Sequence, residues 1–183
     1  MNKRTLYLYH PQAEPALYEL LESLYGTLNT TDALITLTLL DDQEDTLQAD
    51  ELKDLIESDF NLPITMLETG EVETIYSKTL IQRCLTVVPK GLYDLEALLF
   101  KVSQHDQSLE KTLKSVFDKA LTQELKQTVL AFASHQMNVS LSAKALYMHR
   151  NTMHYRLTSF QQQTHLDPYR FDGLALMHRL YHL

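Results

Sequence analysis

The chain has 183 residues, 44 % of them hydrophobic, and a formal net charge of −8. That length supports one domain or two small ones with a real core, and the composition excludes a disordered chain. No apolar run approaches the roughly 18 residues that cross a bilayer, the early bases Lys3 and Arg4 precede no signal-peptide core, and the single Cys84 excludes an internal disulfide, so a cytoplasmic protein with no membrane association is expected.

Pro11 followed by Leu17, Leu20, Leu21 and Leu24 predicts an amphipathic helix that ends at Gly26. Residues 33–40, half alternating and rich in β-branched side chains, predict a strand, and 41–45 an acidic loop. Leu52, Leu55, Ile56 and Phe60 mark a helix over about 49–59, which Pro63 breaks. Short strands are expected at 64–67 and 84–88, with a turn at Gly70 between them. Cys84 lies in the second of these, among apolar neighbours, which favours a buried inert thiol over a redox sensor. Helices follow near 92–104 and 108–119, the latter with Ser108 as N-cap. Their leucine-rich stripes read as core or as a dimer face. Residues 1–122 thus form a small α/β region, regulatory or dimerising, with no phosphate loop, paired-carboxylate signature or metal motif.

The net charge hides a split. Residues 123–183 hold six of the 16 Lys and Arg and three of the 24 acids, a balance of +3, and the rest of the chain carries −11. Within this basic third, residues 123–135 present Leu125, Val129, Phe132 and Ala133 on one face. A helix of barely two turns follows over 138–146, with Asn138 or Ser140 as its cap. Tyr147-Met148-His149 leaves room only for a turn, and helical spacing resumes at Arg150. Two helices joined by three or four residues form a helix-turn-helix. Ala143 is small where the two helices approach, and Met148 plugs the angle between them.

Stepping roughly 100° per residue around the second helix puts Met153, Leu157 and Phe160 inward. Asn151, Tyr155, Thr158 and Gln162 point outward, Arg150 and His154 occupy one flank, and Thr152 and Arg156 the other. The outward face offers hydrogen-bonding groups and two guanidinium groups without a carboxylate of its own, at a helix end whose free amides favour an anion. Lys144, His149, Arg150, Asn151, Thr152, His154, Tyr155 and Arg156 are therefore the candidate DNA-contacting residues. Several have plainer alternatives: Asn151 and Thr152 as capping residues, His149 as a cap or a packed turn residue, the cations as solvated surface. His149 and His154 are five apart and so not on one helical face, and no Cys or acid completes a metal site. No cofactor is expected.

The stretch Asn138-Val139-Ser140, Ala143, Leu146, Met148-His149-Arg150-Asn151-Thr152 and Tyr155-Arg156-Leu157 closely resembles the C-terminal helix-turn-helix of the PucR/CdaR family of bacterial transcription regulators. The resemblance runs from about Leu125 to Leu180, including a closing helix at 172–182. It implies a fold similar to that of the factor for inversion stimulation, with the second helix entering the major groove at one half-site of a dimer. Family members place Gly in the turn where this chain has Tyr147. A left-handed backbone there would cost Tyr on the order of 1 kcal/mol. Residues 1–122 read as a shortened form of the degenerate cyclase-like domain that precedes the motif in the family, on a β-α-β-β-α order. No Gly-Gly-Asp-Glu-Phe signature is present, so cyclase activity is not implied.

The expected architecture is α+β and mostly α: a small α/β region at 1–122, then an all-α helix-turn-helix domain at 123–183. The expected function is sequence-specific binding of double-stranded DNA by a homodimer, under an unidentified small-molecule effector if any. The rival readings are an interaction partner of a full-length regulator that does not itself bind DNA, and an enzyme in residues 1–122, for which no nucleophile–base constellation is present.

Overall fold

A computed structural model describes residues 3–11, 14–26, 28–31, 33–40, 47–70, 72 and 75–181. The acidic loop expected at 41–45 lies outside the described residues. Backbone contacts divide the chain into two compact units, at Leu98/Leu99. The division falls before the 122/123 boundary suggested by charge, so the helix just ahead of the helix-turn-helix goes with the C-terminal unit.

Among the described residues, the N-terminal unit is a five-stranded sheet with helices. Strand β1 (Lys3–Tyr9) pairs antiparallel with β3 (Leu34–Leu40) on one side and β4 (Thr65–Thr69) on the other. Strand β2 (Asn29–Thr31) pairs antiparallel with β3, and β5 (Gly91–Tyr93) pairs parallel with β4. The central position of β1 explains its composition. Leu6, Tyr7 and Leu8 are consecutive and all buried, as a strand covered on both faces requires. Helix α1 (Pro15–Tyr25) starts at Pro15 rather than near Pro11, because the fixed φ of proline suits the first helical position. It ends at Gly26, whose φ of 76° is open to glycine at no steric cost. Leu17 and Leu21 face the core, and Leu24 does not. Helix α2 (Ala49–Phe60) opens with a reciprocal capping box, in which the Gln48 backbone N–H donates to Glu51 Oε2 at 2.9 Å.

Residues 84–88 are not a strand. They belong to α3 (Lys78–Val87), which begins where the Leu80 N–H donates to Ser77 Oγ at 3.2 Å. Leu80, Ile81, Cys84 and Leu85 are buried together, and the spacing of those four is one face of a helix. A five-residue apolar run does not by itself separate a buried strand from a buried helical face, and tertiary burial decided for the helix. Cys84 is buried, as expected. The unit's order is therefore β1-α1-β2-β3-α2-β4-α3-β5, not the β-α-β-β-α order read between 33 and 104.

Helix α4 (Leu95–His105) follows a cap in which Asp94 Oδ1 accepts from the Ala97 N–H at 2.9 Å. Helix α5 (Gln107–Ala120) is capped by Asp106 and not by Ser108: Asp106 Oδ1 accepts from the Leu109 N–H at 2.8 Å. Its stripe of Leu109, Leu113 and Phe117 is buried, so of the two readings, core or dimer face, this stripe is core. Helices α6 (Gln123–Ser134), α7 (Val139–Ala145), α8 (Arg150–Thr164) and α9 (Phe171–Tyr181) complete the C-terminal unit, and α6 packs against each of the other three. Phe132 of α6 is fully buried and meets the Tyr169 ring edge-on at 5.3 Å. No helix among the described residues is long and apolar enough to cross a membrane.

One polar knot ties α5, α6 and α9. Lys126 is 9 % exposed, and its ammonium donates to Asp118 Oδ1 at 2.6 Å while lying 5.1 Å over the Tyr181 ring. The Tyr181 hydroxyl donates to the same carboxylate oxygen at 2.9 Å. The bond from Lys126, with that from Tyr181 and the charges of Lys126 and Lys114, holds the Asp118 carboxyl below its ordinary 3.8. A depressed carboxyl stabilises the fold fully above the ordinary value, and this contribution is lost as pH falls through the lower folded value. Asp118→Asn should lower Tm at neutral pH by a few degrees, corresponding to about 1–2 kcal/mol for a nearly buried ammonium left half-satisfied. It should also flatten the acid limb of a Tm-against-pH curve below about pH 4. Thermal melts of the two proteins from neutral pH to pH 3 check both.

Candidate nucleic-acid interface

The helix-turn-helix is built by α7, the turn at 146–149 and α8. Asn138, of the two proposed caps, starts α7: its Oδ1 accepts from the Leu141 N–H at 3.0 Å. Ala143 is 3 % exposed where the helices approach, and Met148 is half-buried beside it. The Ser142 hydroxyl is fully buried and donates to Asn138 O at 2.7 Å.

The chain leaves α7 through a Schellman arrangement. The Tyr147 N–H donates to Lys144 O at 3.1 Å and the Met148 N–H to Ala143 O at 2.9 Å. Tyr147 thereby takes a φ of 53°, in the left-handed region that the turn requires, and its side chain is 98 % exposed. The same device closes α6, where Gln136 and Met137 both have positive φ, while α8 ends on His165, also at positive φ, whose N–H donates to Gln161 O at 2.7 Å. Among the described residues, three helix ends in this unit thus use a left-handed residue that is not glycine.

Helix α8 shows the two faces that its sequence predicts. Met153, Leu157 and Phe160 are at most 1 % exposed. Arg150, Asn151, Thr152, His154, Tyr155, Thr158 and Gln162 are exposed, as is Lys144 on α7. His149 caps the helix: its Nδ1 accepts from the Asn151 N–H at 3.2 Å, which leaves the Asn151 and Thr152 side chains unneeded for that role. His154 Nδ1 and the Tyr169 hydroxyl lie 3.4 Å apart, which ties this flank to the turn before α9.

Arg156 differs from its expected place. It is half-buried, and its Nη2 donates to Glu124 Oε2 of α6 at 3.0 Å. The absence of acids along α8 therefore does not leave both guanidinium groups open: Arg150 is exposed, and Arg156 already faces a carboxylate. Sequence reasoning missed Glu124 because it lies 32 residues away, on another helix. Away from α8, a groove of about 690 Å³ runs along α9, lined by Phe100, Met137, Phe171, Leu174 and Ala175 among others. Groups of three or more His, Cys, Asp or Glu that could hold a metal ion are absent among the described residues.

The cap carries a testable cost. His149→Ala should destabilise the protein by about 1 kcal/mol, lowering Tm by roughly 2–4 °C, and His149→Asn should recover most of the loss. Differential scanning calorimetry of the three proteins measures it.

Residues 125–180 match the model of the PucR C-terminal helix-turn-helix domain. The uncharacterized protein YxkF of Bacillus subtilis (strain 168) is 36 % identical over 53 residues, which is 29 % of this chain and 18 % of that protein's length. Among solved structures, the Regulator of Polyketide Synthase Expression from Bifidobacterium adolescentis aligns with a TM-score of 0.48 at 15 % identity, covering 98 % of this chain and 78 % of that one. The turn, the caps and the buried stripe of α8 lie inside the matched span, so the C-terminal unit of this chain carries a helix-turn-helix domain of the PucR type, a module of transcription regulators.

Proposed function

We propose that this chain is a sequence-specific DNA-binding regulator of transcription of the PucR/CdaR type, in which α8 reads the major groove from Arg150 onward. The observation that carries the proposal is the exposed face of α8, which has hydrogen-bonding groups and a guanidinium at the helix N-terminus, with no acid in its first turn. Arg150 suits a phosphate as well as a guanine edge, and Asn151 an adenine edge. Lys144, Thr152 and the Tyr155 hydroxyl suit phosphates, which position the module without specifying sequence. His149 serves by holding the first turn of α8, and His154 by presenting the ring that Tyr169 orients. Arg156 docks on phosphate only in competition with Glu124.

Residues 123–183 would act as the DNA-binding domain and the acidic residues 1–122 as the regulatory or dimerising region, whose charge of −11 opposes non-specific adsorption to a polyanion. One small module makes few contacts, so a homodimer on two half-sites about 34 Å apart supplies the affinity.

The test is titration onto genomic duplex fragments at two salt concentrations. Wild type should bind selectively and more weakly at higher salt. Arg150→Ala should lose on the order of 10- to 100-fold in affinity and lower the salt slope by about 1. Glu124→Gln should bind several-fold more tightly at low salt, because phosphate no longer displaces a carboxylate from Arg156. The modest charge of +3 and the Arg156–Glu124 pair favour the second reading, an interaction partner of another regulator. Failure of a folded wild type to bind any fragment at low salt would sink autonomous DNA binding and favour that reading instead.

A further inference from the structure

Tyr147 sits at the position after the α7 cap where glycine is the ordinary residue, and it holds a φ of 53°. A bulky side chain in that region strains the backbone. Strain of this kind is repaid when the side chain packs, but Tyr147 is 98 % exposed and touches almost nothing of its own chain. The fold therefore gains nothing from the ring and would be served better by glycine. The ring lies three residues before Arg150, on the segment that delivers the chain to the N-terminus of α8. An extended backbone covers at most about 11 Å in three residues, so a tyrosine hydroxyl there reaches the surroundings of the same helix end. Exposed neighbours on that side are His149, Arg150 and Asn151, with no acid among them.

We infer that Tyr147 is a further DNA-contacting residue, packing its ring on the sugar–phosphate backbone beside the site of α8 and donating its hydroxyl to a phosphate oxygen. The inference rests on the DNA-binding reading and extends it to a residue in the turn. A protein surface in place of the duplex is the alternative that the experiment separates. A tyrosine contact is neutral. It adds affinity without releasing a counterion, so it leaves a signature different from that of a lysine or arginine.

The experiment measures stability and DNA affinity on the same variants. The probe is a mixed-sequence duplex of about 30 base pairs at low salt, because phosphate contacts dominate non-specific binding. Tyr147→Gly should raise Tm by about 2–4 °C through relief of strain and weaken binding on the order of 3- to 10-fold, with the salt slope unchanged. Tyr147→Phe should leave Tm near wild type and lose part of the affinity, the share of the hydroxyl. Arg150→Ala is the control, losing affinity together with slope. Tyr147→Gly protein that is more stable and binds the duplex as tightly as wild type overturns the inference while leaving the DNA-binding reading intact. A wild type that does not hold the duplex at all overturns both.

Discussion

The burial of Met153, Leu157 and Phe160 sets what the C-terminal unit can do. These three residues lie on one side of α8, and removing them from water orients the helix about its own axis. Once they face inward, the other residues of the helix have no choice of direction. Arg150, Asn151, Thr152 and Tyr155 become surface, in an order given by the turn of the helix alone. Helix α6 supplies much of the surface that covers the stripe, with Leu125, Val129 and Phe132 buried on its own inner face. The candidate interface is thus the reverse side of a packing decision.

The second constraint is direction reversal at helix ends. The chain has only four glycines, and α6, α7 and α8 each end with a non-glycine residue of positive φ. Gln136 and Met137, Tyr147 and His165 take conformations that cost L-residues energy, and each persists because the packed helices on both sides dictate the turn. The Schellman bonds at α6 and α7 satisfy carbonyls that would otherwise be left open, which offsets part of that cost. Tyr147, large and exposed, is the position at which stability and surface chemistry point in opposite directions.

Electrostatics refines the picture at the level of single pairs. A balance of +3 across residues 123–183 suggests a uniformly cationic face, but the pairs are local. Lys126 is spent inside the unit on Asp118, Arg179 is bonded to Ser103 O and faces Glu110, and Arg156 is held by Glu124. The cations left at the candidate interface are Arg150 and Lys144, a smaller positive surface than the charge count implies. Recognition through few charges leans on hydrogen bonds and shape, which suits a face rich in Asn, Thr, Tyr and His.

The amino-acid sequence by itself determined the helix-turn-helix. Its signals are local: helical spacing of apolar residues, an Asn cap, a small Ala143 and a short turn all act within 25 residues. The same holds for α1, α2, β3 and β4, and for the burial of Cys84. Tertiary structure decided the rest. Strand β1 was illegible because a strand buried on both faces does not alternate, and α3 because a five-residue apolar run fits either element. The capping of α5 by Asp106, the division of the chain within α4, and the Arg156–Glu124 pair all depend on contacts that no periodicity records. Short-range patterns select elements, because backbone bonding and amphipathic faces repeat within a few residues. Which cations remain open to a ligand is settled only when distant helices bring their acids alongside.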